Sequence, residues 1–234
     1  MFARETDLQM ALKDLELAPL FQGGVTLVRR EIPLGGCIPD AVFIWFRSGR
    51  PTLQWARQLS YRQAHLLATL RRHGPLSAPR LAAIEFEGVD RIWPSCNALL
   101  RLGALEATDE GLLRVAIELD RIDVEVVAVE AKISRWRSAL VQAVAYKRFS
   151  HRSFVAMDHD RAPRGEEVLG EFRRAGVGLV AVGQSCSEWL VMPDSRSNPT
   201  SAEYEYLVGM ALTKDRQGKW LSLNAANASL QGLT

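Results

Sequence analysis

Residues 124–132, VEVVAVEAK, constrain the fold more than any other part of the chain. Successive side chains of a β-strand point to opposite faces of its sheet, so Val126 and Ala128 share one face while Val127 and Val129 share the other. A strand that is apolar on both faces belongs inside a sheet that is covered on both sides. The segment therefore predicts a layered fold with this strand in its middle.

The same strand ends on two charged residues, Glu130 and Lys132, which share one face because they lie two residues apart. Burying a single charge costs free energy, so we expect the pair at the exit of the strand, where a cleft can form. A structural salt bridge explains such a pair as simply as an active site does. The tripeptide alone does not decide between the two.

Apolar periodicity predicts helices and strands on either side of this segment. Helices are expected over 5–18, 135–149, 165–176 and 201–213, and strands over 25–32, 40–46, 153–157, 177–182 and 188–192. Strands that alternate with helices after a hairpin are typical of an α/β fold with a mixed central sheet flanked by helices.

The pattern between residues 48 and 118 is different. Helical stretches are predicted over 61–74, 77–84 and 91–103, followed by a hairpin around Asp109-Glu110-Gly111. Three short helices and a hairpin resemble the winged helix-turn-helix family, in which the third helix enters the major groove of DNA. This resemblance implies a set of nucleic-acid-binding side chains on and around the third helix: Arg91, Ser95, Asn97 and Arg101, flanked by Arg71, Arg72 and Arg80.

A second interpretation of this module is open, because many winged helices contact proteins instead of DNA. Glu85, Glu87 and Asp90 lie just before the third helix. Three acids at that position weaken the positive field that a DNA-binding surface needs.

A strand ending in Glu-x-Lys, followed by a helix with Gln142 and Tyr146 four residues apart, resembles the PD-(D/E)XK nuclease superfamily. That family has the restriction-endonuclease-like fold, and it also carries Pro-Asp at the start of the preceding strand. Pro39-Asp40 matches this mark, and Glu5 matches the acid common on the first helix. The resemblance implies the following catalytic set: Glu5, Asp40, Glu130, Lys132, Gln142 and Tyr146.

The chain departs from the family pattern in the distance along the sequence between Asp40 and Glu130, which a short hairpin usually spans. A winged helix inserted at a loop tip accounts for the extra length, since insertions there are tolerated. The predicted domains are a discontinuous nuclease-like core, 1–47 and 119–234, and an inserted module, 48–118.

The identity of the metal-binding aspartate stays open at this point. Asp120 and Asp123 lie at the ordinary family spacing before Glu130, whereas Asp40 carries the proline and starts a strand. We favour Asp40.

The resemblance implies a Mg²⁺-dependent (or Mn²⁺-dependent) endonuclease that acts on duplex DNA. Asp40 and Glu130 would hold the metal, and Lys132 would orient water and stabilise charge on the phosphate. Cutting both strands generally takes two active sites, so a homodimer is a further expectation. The alternative is a DNA-binding regulator or partner-binding protein that keeps the nuclease fold without cutting.

Composition argues against several other classes of protein. No apolar run approaches the roughly 18 residues that span a bilayer, and the first residues lack a signal-peptide pattern. Three cysteines without C-x-x-C spacing disfavour both a disulfide framework and a zinc site. We therefore expect a cytoplasmic protein with no membrane partner.

Overall fold

In the computed structural model the chain is described over residues 1–12, 20, 24–48, 55, 58–184, 186–195, 199–213 and 221–222. The strands are β1 (Val25–Arg30), β2 (Ala41–Phe46), β3 (Leu105–Ala107), β4 (Leu113–Val115), β5 (Val124–Lys132), β6 (Arg152–Asp158), β7 (Gly178–Val182), β8 (Ser187–Val191) and β9 (Leu221–Ser222). The helices are α1 (Glu5–Ala11), α2 (Tyr61–His73), α3 (Ala78–Ile84), α4 (Val89–Leu102), α5 (Ile117–Asp120), α6 (Trp136–Tyr146), α7 (Glu166–Ala175) and α8 (Ala202–Leu212).

These elements form two units that interrupt one another along the sequence. Unit 1 consists of Met1–Arg50, Val124–Pro199 and Gly218–Thr234. Unit 2 consists of Pro51–Asp123 and Thr200–Gln217.

Unit 1 is built on a mixed sheet of six strands, with the two-residue β9 pairing at one edge, in the order β8-β7-β6-β5-β2-β1-β9. Strands β5, β6 and β7 run parallel to one another. The remaining pairs are antiparallel: β1 with β2, β2 with β5, and β7 with β8. Every residue of β5 except the last is buried, as its apolar faces require. The predicted α/β class, with a mixed central sheet flanked by helices, is confirmed.

Helices cover both faces of this sheet. Leu8 of α1 lies in one apolar cluster with Val127 and Val129 of β5. On the other face, Ala143 of α6 and Phe172 of α7 lie in a second cluster. Each large apolar side chain buried in this way contributes about 1.5–3 kcal/mol to stability. The helix was predicted over 5–18; α1 accounts for its first part, and 13–19 lie outside the described residues.

Unit 2 enters the chain at the tip of a β-hairpin of unit 1. Phe46, at the end of β2, pairs with Val124, at the start of β5, so the chain leaves and re-enters unit 1 at neighbouring points. The residues that follow Phe46 and Val124 are also linked, because Arg47 Nη2 donates to Glu125 Oε2 at 2.8 Å. The other oxygen of this carboxylate, Glu125 Oε1, lies 2.8 Å from Arg152 Nε of β6. Because these ends are held together within unit 1, a long insertion between them adds little loop-closure cost.

Unit 2 contains α2, α3 and α4, then the β3–β4 hairpin, then α5, and finally α8 from much later in the sequence. Leu76, between α2 and α3, forms a bridge with Leu113 of β4. Serine residues cap α2 and α3: Ser60 accepts from the backbone of Gln63, and Ser77 accepts from that of Arg80.

The observed boundaries of unit 2 differ from the predicted 48–118, chiefly because α8 belongs to it. The sequence placed residues 201–213 with the core, yet α8 packs on α2. Gly209 permits this contact, because a Cβ there would lie 2.7 Å from a methyl carbon of Leu59. Periodicity predicts that a segment is helical, and it does not say which layer the helix joins.

Among the described residues, no helix is both long and apolar enough to cross a bilayer.

Candidate functional site

The register of the central strands brings Asp40 beside Glu130. Ala41 of β2 lies opposite Val129 of β5, and continuing this antiparallel register by one residue sets Asp40 opposite Glu130. Opposed residues of such a pair have Cβ atoms about 4.5–5.5 Å apart. Asp40 Oδ2 also accepts a hydrogen bond from the backbone N–H of Ala131 at 2.7 Å. Two acids that are far apart in sequence therefore meet at the exit of β5.

Glu130 is held in a buried position, with 2% of the residue exposed. Its Oε2 accepts a hydrogen bond from the hydroxyl of Tyr146, which reaches it from α6. Its Oε1 lies 3.0 Å from the ammonium of Lys132. The carboxylate is thus oriented by one neutral donor and one positive charge.

Lys132 connects the end of β5 with α1. Its Nζ donates to Glu5 Oε1 and contacts Glu130 as well. The Lys132 side chain is 22% exposed and the Glu5 side chain 40%, so this pair lies at the open side of the cluster.

Gln9 belongs to the same cluster, although the sequence did not single it out. Its Nε2 donates to Asp40 Oδ1 at 2.6 Å. Glu5 and Gln9 lie four residues apart on α1, hence on one face of the helix. That spacing is the signal from which Gln9 could have been predicted once Glu5 was proposed for the site.

Burial changes the proton affinity of both buried acids. Burial raises the pKa of Glu130, and the Asp40 carboxylate adds to this effect, against the hydrogen bonds from Tyr146 and Lys132. Burial also raises the pKa of Asp40, against the Ala131 N–H. Three carboxylates, those of Glu5, Asp40 and Glu130, surround the single ammonium of Lys132, so the cluster carries excess negative charge.

Lys132 remains positively charged in this environment. Burial acts to lower the pKa of its ammonium, but the hydrogen bonds with Glu5 and Glu130 outweigh burial and raise the pKa above its ordinary value. Lys132 is therefore a fixed positive charge near neutral pH.

The structure brings together Glu5, Asp40, Glu130, Lys132 and Tyr146. Gln142 is half-buried on α6, one turn before Tyr146, and its side chain makes no hydrogen bond to another described residue.

The two other candidate aspartates lie elsewhere. Asp120 pairs with Arg71 in unit 2. Asp123 precedes the first residue of β5, so most of the strand separates it from Glu130. Asp40 is the acid beside Glu130.

The chemistry of the cluster fits a hard cation bound by two protein carboxylates. Among the described residues, no three side chains of the His, Cys, Asp or Glu types are grouped to hold a metal ion. Mg²⁺ usually takes only one or two carboxylates and keeps several waters. Although the carboxylate oxygens of Asp40 and Glu130 each accept one protein contact, a carboxylate has about four lone-pair sites, so acceptor capacity remains. Two carboxylates with free acceptor capacity are the donor type that Mg²⁺ and Mn²⁺ prefer.

The side chains proposed from sequence to bind nucleic acid divide into two groups. Arg80, Arg91 and Arg101 are exposed, Ser95 and Asn97 are half-buried, and Arg72 is exposed with its guanidinium 3.2 Å from the carbonyl oxygen of Thr200. Arg71 differs from these, because its side chain is 18% exposed and pairs with Glu205 and Asp120. Its guanidinium therefore ties α2 to α8 and α5.

Two of the acids before α4 make contacts with side chains of α2. Glu85 accepts from the Thr69 hydroxyl at 2.6 Å and lies 2.9 Å from His65 Nδ1. Glu87 pairs with Arg62. The sequence suggested that these acids weaken a positive field around the helix, and the Arg62 guanidinium offsets that effect at Glu87.

Comparison with known proteins identifies no family. No family model matches the chain, and no curated protein matches it. A solved structure of a protein of unknown function from Silicibacter pomeroyi aligns with 77% of this chain and 91% of that chain, at 17% identity and a TM-score of 0.27. A score this low bears on neither fold nor function.

Proposed function

We propose that this chain is a metal-dependent endonuclease that hydrolyses phosphodiester bonds in DNA. In this proposal unit 1 is a PD-(D/E)XK nuclease-like core, and unit 2 is an inserted winged helix-turn-helix module that binds duplex DNA. The observation that carries the proposal is the meeting of Asp40, from one side of the insertion, with Glu130 and Lys132, from the other. A salt bridge between Glu130 and Lys132 needs no second acid, and the nearby Asp40 carboxylate acts against it by raising the pKa of Glu130.

Asp40 and Glu130 are the residues that would hold Mg²⁺. A bound divalent cation polarises a phosphate and lowers the pKa of a coordinated water. Raised pKa values at both acids support this assignment, because buried acids that lack enough positive charge are stabilised by a cation.

Lys132 would act on the substrate as a positive charge. Its raised pKa keeps the ammonium protonated, so it stabilises negative charge on the phosphate and orients the attacking water, and does not act as a base. Loss of one such preorganised group typically costs about 10²–10³ in rate.

Glu5, Gln9 and Tyr146 would serve as positioning residues. Glu5 holds the Lys132 ammonium, Gln9 holds Asp40, and Tyr146 holds Glu130. Each fixes a group that would contact the substrate or the metal.

The winged-helix assignment of unit 2 draws support from the order of its elements. Helices α2, α3 and α4 are followed by the β3–β4 hairpin, and the exposed residues of α4 include Arg91 and Arg101. Cutting both strands of a duplex generally takes two sites, so we also propose that the active form is a homodimer.

The test is a nicking assay on plasmid and labelled duplex DNA with Mg²⁺, with an EDTA arm. The variants are Lys132→Ala and, as a matched loss of positive charge on the surface of unit 1, Arg174→Ala. Wild type and Arg174→Ala should nick at similar rates, and Lys132→Ala about 10²-fold more slowly.

Equal nicking by Lys132→Ala would overturn the assigned site. No cleavage by wild type of duplex or single-stranded DNA, with Mg²⁺ or with Mn²⁺, would overturn the nuclease function. Tight duplex binding without cleavage would instead support the alternative of a DNA-binding regulator that keeps the fold.

A further inference from the structure

Phe86 has an unusual position in the turn between α3 and α4. The residue is 95% exposed and has a φ of 55°, in the left-handed region. The turn is closed by hydrogen bonds from Phe86 N–H to the carbonyl of Ala83 and from Glu87 N–H to that of Ala82. Glycine is the residue usually found at such a helix end. Neither burial nor backbone preference therefore explains a phenylalanine here, and a strained, exposed residue of this kind points to function.

An exposed ridge on α4 continues from this turn. Ile92, Cys96 and Leu99 form the buried stripe of the helix. A second row of side chains, spaced four residues apart, forms a ridge on α4 outside this buried stripe. Its members are Val89, Trp93, Asn97 and Arg101. Val89 is 40% exposed and Trp93 is 45% exposed. The ridge is thus apolar and aromatic at the end near Phe86, and polar and basic at the other end.

The charges around this ridge favour a polyanion. Arg91 and Arg101 are exposed on α4, against the single acid Asp90 in its first turn. The nearby Glu85 and Glu87 are already paired with His65 and Arg62. A basic, apolar protein partner would need exposed acids here, but the Glu85 side chain is only 6% exposed, and the Glu87 side chain, 25% exposed, is paired with Arg62.

We infer that the α3–α4 turn and this ridge bind nucleic acid where bases are unstacked beside a duplex. Phe86 and Trp93 would stack on exposed base faces, and Asn97 and Arg101 would contact the adjoining backbone. Continuous B-form DNA keeps its bases stacked and offers no free face to an aromatic ring. The preferred substrate class is then a junction of duplex and single strand. The inference rests on the proposed nucleic-acid binding of unit 2.

Binding can be measured without cleavage, by fluorescence anisotropy in EDTA. The probes are a labelled blunt duplex, the same duplex with a single-stranded overhang, and the single strand alone. The variants are Phe86→Gly and Trp93→Ala, with Ile117→Ala as the control, because Ile117 is an apolar residue of unit 2 that is 40% exposed on α5. Wild type should prefer the overhang DNA over the blunt duplex about ten-fold, and each variant should lose about ten-fold on the overhang DNA while its affinity for the blunt duplex is unchanged.

Thermal denaturation shows whether weaker binding by a variant comes from loss of the aromatic ring or from unfolding. Glycine adopts the backbone conformation of residue 86 without a steric penalty, so Phe86→Gly should keep or raise the Tm while binding falls. Variants that bind overhang DNA as wild type does would overturn the inference. Equal binding of overhang and blunt DNA by wild type would overturn this inference but not the proposed binding of DNA by unit 2. Absence of binding to all three DNAs would overturn both it and the DNA-binding part of the proposed function.

Discussion

At the scale of single residues, Tyr146 determines how Glu130 is held. Tyr146→Phe removes the hydroxyl and leaves a buried carboxylate with one donor fewer. We expect the free energy of unfolding to fall by about 1–3 kcal/mol, the usual cost of an unsatisfied buried polar group. Chemical denaturation of wild type and of Tyr146→Phe measures this difference. An unfolding free energy unchanged by Tyr146→Phe would show that the hydrogen bond contributes nothing.

Gln9 allows a test of the metal site that does not depend on catalysis. Gln9→Ala removes the donor that fixes Asp40 Oδ1. Loss of a group that orients a metal ligand typically lowers metal affinity about 10–100-fold, so Mn²⁺ binding, measured by calorimetry, should weaken by that factor. Thr6→Ala, at an exposed position of α1, should bind Mn²⁺ as wild type does. Equal affinities for all three proteins would remove Gln9 from the site.

The candidate site shows which residues a sequence can reveal. Glu130 and Lys132 were identifiable because alternation fixes their common face, and Asp40 because proline marks the start of its strand. The sequence left Asp40, Asp120 and Asp123 open, since only the register of β2 against β5 selects among them. Gln9 was missed because a helical glutamine has no local signal, and its role depends on how α1 lies across the sheet.

At the scale of elements, strand periodicity predicted unit 1 well. Strands β5 to β8 and helices α6 and α7 lie within three residues of their predicted bounds, because apolar faces and flanking glycines define them locally. The location of α8 was not predictable in this way. Eight of its eleven residues are buried, among them Tyr204, Leu207, Val208 and Met210. A helix buried on most sides carries no clear directional pattern.

Helix α8 also makes the stability of unit 2 depend on pH. Burial raises the pKa of Glu205 to about 7, against the opposing effect of Arg71. A carboxyl whose pKa rises on folding contributes stability that is complete below its unfolded pKa of about 4.3 and is lost as pH rises through the folded value. We therefore expect the Tm of wild type to fall between pH 5 and pH 8 more steeply than that of Glu205→Gln.

Measured Tm profiles of the two proteins decide the point, because other titrating groups are common to both. Parallel profiles would mean that Glu205 does not change its protonation in this range. A steeper profile for Glu205→Gln would reverse the sign of the expected effect.

At the scale of the whole molecule, the insertion is not a single continuous segment. A chain shortened by replacing 51–123 with a short turn keeps α8 but loses the helix α2 on which it packs. The apolar side chains of α8 would then be exposed, which favours aggregation. A second shortened chain that also lacks 200–217 should remain monodisperse in size-exclusion chromatography, whereas the first should aggregate. Identical behaviour of the two would show that α8 does not need α2.

The interruption of each unit by the other has a consequence for synthesis. Residues 51–123 leave the ribosome before β5, yet the core of unit 2 stays incomplete until α8 follows, after β8 of unit 1 has been made. Likewise, β2 cannot pair with β5 until all of residues 51–123 have been synthesised. Domains usually fold in order from the N-terminus as they emerge, and contacts between distant segments slow folding. In this chain neither unit can finish early, because unit 1 needs β5 to β8 and unit 2 needs α8.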